Sequence, residues 1–257
     1  MQTLKASWYG FEKHWTWYRR NWRATVVSSF LTPVLFLLAL GFGFGSQVRS
    51  TELLGGMSYL QYLAPALVVI TALQGATFES TYAIMSAFMW QKTYIGMVAT
   101  PITPAQVLYG QVMWIGSQLL ARSAVFVVIA AVLGAAAGPG ILWAIPFGAL
   151  AGLAFSAPLI AYSARLEKPD SFTTIFRFVL MPMTLFTGAF FPVSQLPEWL
   201  LPVVWLTPAW HGIELARGAA AGTLGALPAL GHVAYLVALS AAGLALGVKY
   251  FRRRLAV

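Results

Sequence analysis

Apolar runs long enough to cross a bilayer recur six times along this chain, over about 24–44, 60–81, 107–133, 141–164, 172–190 and 231–250. A spanning helix needs about 20 mostly apolar residues. Lipid offers no partner for backbone N–H and C=O groups, so such runs must satisfy them internally. Composition agrees: 59% of residues are hydrophobic and 9% charged, with a mean hydropathy of +0.75, against about 25% charged in a soluble domain. The chain reads as an all-α integral membrane protein with six transmembrane helices.

One stretch fits neither span nor loop. Residues 191–218, FPVSQLPEWLLPVVWLTPAWHGIELARG, are too apolar for an ordinary loop and too interrupted for a span. Pro192, Pro197, Pro202 and Pro208 each remove a backbone donor and limit any helix to a few turns. The apolar piece between them, about 10–14 residues, suits a re-entrant or interfacial segment. A short helical hairpin over about 192–217, dipping into one leaflet, is therefore expected; an amphipathic surface loop is the other reading. Phe191, Trp199 and Trp205 would stand at its mouth. His211, Glu214 and Arg217 recur at i, i+3 and i+6 on one face of a short helix, either bridging to neighbouring spans or meeting a substrate at the exit.

Ahead of the first span, Trp8, Phe11, Trp15, Tyr18 and Trp22 recur at spacings of three and four. Lys5, Lys13, Arg19, Arg20 and Arg23 lie mostly off that stripe. The pattern predicts an amphipathic helix over 1–23 lying in the interface plane, a lever or a simple anchor. With no apolar core or small-residue cleavage site, this segment is not expected to be a cleaved signal peptide. Between the second and third spans, Pro101 and Pro104 stop a short helix over about 89–99 that carries Trp90, Gln91, Lys92, Tyr94 and Met97. That helix is either a docking element for a soluble partner or another anchor.

Six spans put both termini on one side. With the termini cytoplasmic, the inner segments hold almost all of the cations, including Lys92, Arg165, Lys168, Lys249 and Arg252 to Arg254, and only Arg49 and Arg217 lie outside. This obeys the positive-inside rule and accounts for the net charge of +9 without nucleic acid. Enzymatic chemistry finds few groups. Cysteine is absent, His14, His211 and His232 are too scattered to propose a metal site, and no G-x-x-x-x-G-K-[ST] phosphate loop is present. The polar groups at membrane depth are Gln74, Glu79, Gln111, Gln118 and Arg122. Buried ionisable groups in lipid are functional candidates by default; Arg122 would pair with a carboxylate or meet an anionic substrate group.

Four segments in order, ATFES (76–80), TPITPAQVLYGQ (100–111), TGAFFPVSQLP (187–197) and PAWHGIELARG (208–218), resemble the membrane subunits of type-2 ATP-binding-cassette exporters, most closely the nodulation-factor exporter branch. The resemblance covers nearly the whole chain. It implies a connecting helix from Trp8 to Arg23 ahead of a permease domain over 24–257. It implies a coupling helix from Met89 to Ala99 resting on a separate P-loop ATPase, and outer re-entrant helices from Leu196 to Glu214. It further implies a dimer of permeases, identical or paralogous, above two ATPase subunits in the bacterial cytoplasmic membrane. ATP and Mg²⁺ would sit in the ATPase, and this chain would carry no cofactor. Relatives that export polysaccharide line their path with aromatic rings, which makes Tyr62, Phe78, Tyr82 and Phe186 candidates beside Glu79 and Arg122. The cargo implied is amphipathic, lipid-like or drug-like, with a lipid-linked glycan as the competitor. A stand-alone secondary transporter or channel is the rival class; the former would show matched broken spans in two halves, and only one broken region is evident.

Overall fold

The computed structural model describes residues 2–45, 54 and 56–256; the side chains at 2–6, 21–30, 32, 33, 42 and 44 lie outside that description, as do Arg49 and Glu52. The contributions expected of the Trp22 and Arg23 side chains therefore fall outside it too. Among the described residues every regular element is helical.

Helix α1 spans Gln2–Phe36 and continues as wider π turns over Leu37–Phe44. The boundary expected near residue 23 is not marked by a break. Between Gly10 and Pro33 the sequence holds no residue that removes a donor or demands an unusual φ, so the helix runs on. Helix α2, Tyr59–Ser80, opens on a capping box in which Ser58 Oγ accepts from the Gln61 N–H and Gln61 Oε1 accepts from the Ser58 N–H. One distorted residue, Thr81 at φ −111 and ψ −86, separates it from α3, Tyr82–Met89. The second span is thus longer at its far end than the sequence indicates.

Lys92 adopts the left-handed φ of 51, and α4 is confined to Thr93–Val98. The single short helix expected over 89–99 is instead the end of α3, a turn at Trp90–Lys92, and α4. Helix α5, Pro104–Val132, repeats the capping box with Thr103 and Gln106. A 3-10 turn at Pro139–Trp143 leads into α6, Ala144–Ser163. The expected fifth span is pieced together from α7 (Asp170–Ile175), π turns over Phe176–Leu180 and α8 (Met181–Phe186). Helix α11 is Ala226–Leu255.

Among the described residues four helical stretches are long and apolar enough to cross a membrane: Tyr59–Met89, Pro104–Val132, Pro139–Ser163 and Ala226–Leu255. The expected first and fifth spans are not among them. Helix α2 lies at the centre, buried along most of its length from Tyr62 to Ala76, with α5, α6 and a helix over Pro208–Ala221 around it. Small residues set the spacing. A Cβ on Gly148 would stand 3.2 Å from Val68 and 3.3 Å from Ser123, and one on Gly152 2.7 Å from Leu119, so backbones approach closely there. Gly41 is a further packing position: a Cβ there would collide with Leu60.

The proline-rich stretch forms 3-10 turns at Val193–Gln195 and Glu198–Leu200, α9 over Leu201–Trp205 and α10 over Pro208–Ala221. The prolines stand where the sequence places them, each just before or in the first turn of a piece. Helix α10 packs into the notch between α2 and α6, where a Cβ on Gly212 would meet Ala151 at 2.5 Å and Val69 at 3.0 Å. Its far end reaches the turn before α6, with Gly140 against the Ala219 backbone. At its start, the Leu206 carbonyl accepts from the Tyr235 hydroxyl, about 14 Å along α11 from Ala226 at 1.5 Å per residue.

Candidate functional site

Three groups of side chains carry chemistry. The first joins α1, α4 and α5 at the end of the molecule that holds α4. A Cβ on Gly110 would lie 2.7 Å from the Ser7 carbonyl oxygen and 2.9 Å from Gly10 Cα, so α1 rests on α5 backbone to backbone. One turn along, Trp114 takes the edges of Phe11 and Tyr18 at 5.8 Å and stacks on His14 at 5.3 Å. The aromatic stripe is thereby divided. Phe11 and Tyr18 pack inward, while Trp8 and Trp15 are half exposed and Arg19 and Arg20 are solvent-facing.

Lys13 Nζ donates to Thr93 Oγ1 at 2.8 Å and stands 5.3 Å from the Tyr94 ring centroid. Tyr94 is 1% exposed, its hydroxyl donates to Gln111 Oε1 at 2.9 Å, and its ring packs on Phe88 and Phe251. Among the coupling residues expected from sequence, Tyr94 faces inward, because Phe88 and Phe251 close over it. Met97 is half-buried near Gly10, whereas Trp90, Gln91 and Lys92 are exposed. Burial lowers the Lys13 ammonium to about 8. Burial, with Lys13 beside it, lowers the His14 imidazole to about 4, against the opposing effect of a hydrogen bond to the Gln111 side chain. Burial likewise raises the Tyr94 hydroxyl above its ordinary value.

The second group is the interhelical ion pair. Arg122 Nη2 lies 3.7 Å from Glu79 Oε1, at the wall of a cavity of about 330 Å³ that also meets Lys13, Tyr18, Trp114 and Gln118. Phe78 is exposed beside it. Tyr82 packs on Phe172 and Phe176, a packing role, and Phe186 is exposed elsewhere on α8.

The third group lies at the opposite end. Arg217 donates to the Gly188 carbonyl at 2.8 Å and the Tyr62 carbonyl at 3.4 Å, and its guanidinium covers the Tyr62 ring at 3.7 Å. The Tyr62 hydroxyl reaches the same Gly188 carbonyl. Tyr62, a path candidate from sequence, thus belongs with Arg217. Together they hold the turn that follows α8, where Gly188 takes φ +84, a conformation side-chain-bearing residues avoid. His211 Nε2 faces the Trp205 carbonyl at 2.9 Å and so must donate. Neutral His211 then accepts at Nδ1 from His232 Nδ1–H, 2.8 Å away. Burial, then His232, lowers His211 to about 4 despite the bond to Trp205. His211 thus links the Trp205 carbonyl to His232 on α11. Glu214, Trp205 and Arg217 line a cavity of about 570 Å³, while Trp199 and Phe191 are exposed and not part of its lining. Sequence reasoning missed Trp114, Thr93 and the glycine contact of α1 with α5. Each is a pairing between distant segments with no local signature.

The family described as ABC-2 type transporter matches residues 7–220. Nodulation protein J of Sinorhizobium fredii is 32% identical over 251 residues, 94% of this chain and 94% of that protein. Nodulation protein J of Bradyrhizobium diazoefficiens is 33% identical over 251 residues with the same shares. Nodulation protein J of Rhizobium leguminosarum bv. viciae is 31% identical over 207 residues, 78% of this chain and 79% of that protein.

Proposed function

The chain belongs to the ABC-2 type transporter family, and from that premise we propose that it is the permease subunit of an ATP-driven exporter whose ATP hydrolysis takes place in a separate P-loop subunit. The observation that carries the coupling is the tie of α1 to α4 through Lys13 and Thr93, continued into α5 through Tyr94 and Gln111. A push on the exposed turn Trp90–Lys92 has a rigid route into the third span. Residues 1–23 then act as the connecting part of α1, and 24–257 form the permease domain.

In this reading the regions 24–44 and 172–190 complete six spans, and both termini are cytoplasmic, in line with the positive-inside rule. The stretch 192–217 is re-entrant at the outer face. The hydrogen bond of Leu206 to Tyr235, well along α11, supports that depth. Two permeases, identical or paralogous, stand over two ATPase subunits, which bind ATP and Mg²⁺, in the bacterial cytoplasmic membrane. The cargo is amphipathic, lipid-like or drug-like. A lipid-linked glycan is the second reading, favoured by Trp205 and Trp210 on the wall of the outer cavity.

The test is co-purification of the chain with a co-expressed P-loop ATPase subunit of the same exporter type, followed by ATPase assay in lipid. A stoichiometric complex that Trp90→Ala with Lys92→Glu uncouples or dissolves is the expected result. A chain that stays alone and is indifferent to these substitutions sinks the proposal and favours a stand-alone transporter or channel.

A further inference from the structure

The cavity beside Arg122 contains positive charge that the fold leaves poorly paired. Ser123, the next residue on α5, meets Val68 across Gly148, about 14 Å along α2 from Tyr59, so Arg122 belongs to the interior of its span. Its guanidinium extends over Gly75, where a Cβ would stand 2.7 Å from Nη1. Glu79 is the carboxylate it meets, at 3.7 Å, longer than the about 2.7–2.9 Å of a charge-assisted hydrogen bond. Among the described residues Arg122 Nε has no hydrogen-bond partner.

A guanidinium carries five N–H donors in a fixed fork, and an underpaired charge away from water is costly. Lys13 lines the same cavity, so among the described residues two cations face one carboxylate there. Aromatic rings, Trp17, Tyr18, Trp114 and the exposed Phe78, make up one part of the wall, beside small and polar residues such as Ala83, Ser86 and Gln118. Fixed positive charge, an incompletely used fork and an aromatic wall together match a ligand with an anionic head and an apolar tail.

We propose that this cavity binds the phosphate headgroup of an amphiphile. Arg122 takes two phosphate oxygens with its fork, Lys13 adds a second charge, and Glu79 is the internal anion that the headgroup displaces. The inference rests on the permease reading only in making the bound amphiphile cargo. Binding itself is a property of this chain alone, and it is measured without the ATPase.

The test is saturable binding of radiolabelled dodecyl phosphate to the full chain in phosphatidylcholine nanodiscs, with empty nanodiscs subtracted. Arg122→Gln is expected to weaken binding about tenfold, the loss of one well-paired charge contact. Glu79→Gln is expected to tighten it severalfold, because the competing anion is gone. A purely structural ion pair gives no such opposition of sign, so equal losses in both variants overturn the proposal. Competition by dodecyl maltoside, or by inorganic phosphate alone as effectively as by dodecyl phosphate, overturns it as well. Competition by phosphatidylglycerol doped into the nanodisc assigns the occupant to the membrane lipid and overturns the cargo assignment; its failure to compete supports single-chain cargo. Should Arg122→Gln fail to fold, Glu79→Gln decides by itself: tighter binding supports the site, and unchanged or weaker binding overturns it.

Discussion

The Arg217 guanidinium lies over the Tyr62 ring at 3.7 Å, and both side chains donate to one acceptor, the Gly188 carbonyl. Three segments distant in sequence meet there: the start of α2, the turn after α8 and the end of α10. A stacked, forked guanidinium is not replaced by an ammonium. Arg217→Lys is expected to cost about 1–3 kcal/mol, and Tyr62→Phe, which loses one hydroxyl bond, about 1 kcal/mol. Thermal unfolding of the purified chain measures both. Equal, negligible shifts would show that the fork contributes nothing.

Tyr94 should matter more for coupling than for surface contact. Tyr94→Phe keeps the ring among Phe88 and Phe251 and removes the hydroxyl's bond to the buried Gln111 Oε1, for a loss of about 1 kcal/mol. Tyr94→Ala empties the cluster and is expected to cost about 3–5 kcal/mol. With the ATPase bound, Tyr94→Phe should lower cargo-stimulated hydrolysis while the complex still forms. Loss of the complex itself would return Tyr94 to the docking surface.

The contact of α1 with α5 tolerates no side chain. Gly110→Ala is expected to push the helices apart and destabilise by about 1–3 kcal/mol, the usual cost of overpacking. Gly96→Ala on α4 is the control, because nothing lies within 4 Å of the new methyl, and a helical alanine is favoured over glycine. If both variants melt together, the close approach carries no weight.

Acid should weaken the fold before it reaches ordinary carboxylate values. His14 is lowered to about 4 and His211 to about 4, whereas an unfolded histidine titrates near 6.5. Between those values the unfolded chain binds protons that the folded chain refuses, so stability falls as pH drops from about 6.5 towards 4. His14, the more buried of the two, should contribute about 1–2 kcal/mol of that loss. His14→Gln should flatten the dependence of melting temperature on pH between 7 and 5. An unchanged slope would place His14 in water.

Much of the architecture is legible in local sequence. The capping boxes at Ser58–Gln61 and Thr103–Gln106 need only four neighbouring residues, and the prolines punctuate 192–208 wherever the segment lies. The candidate site is less legible. Phe11 and Tyr18 look like one lipid-facing stripe with Trp8 and Trp15 until Trp114 divides them. Tyr94 looks like its exposed neighbours Trp90 and Lys92 until Phe251, from the far end of the chain, closes over it.

The sequence by itself determined that this chain is helical and membrane-embedded, where four of its long apolar helices run and where prolines interrupt 192–208, because hydropathy and missing donors are properties of single segments. Only the tertiary structure decided that Lys13 bonds Thr93, 80 residues away, and that Arg217 reaches Tyr62, 155 residues away. Such pairs depend on which helices lie side by side. That is set by small residues such as Gly110, Gly148 and Gly212 admitting a neighbour's backbone, a steric fact that emerges only when both partners are present.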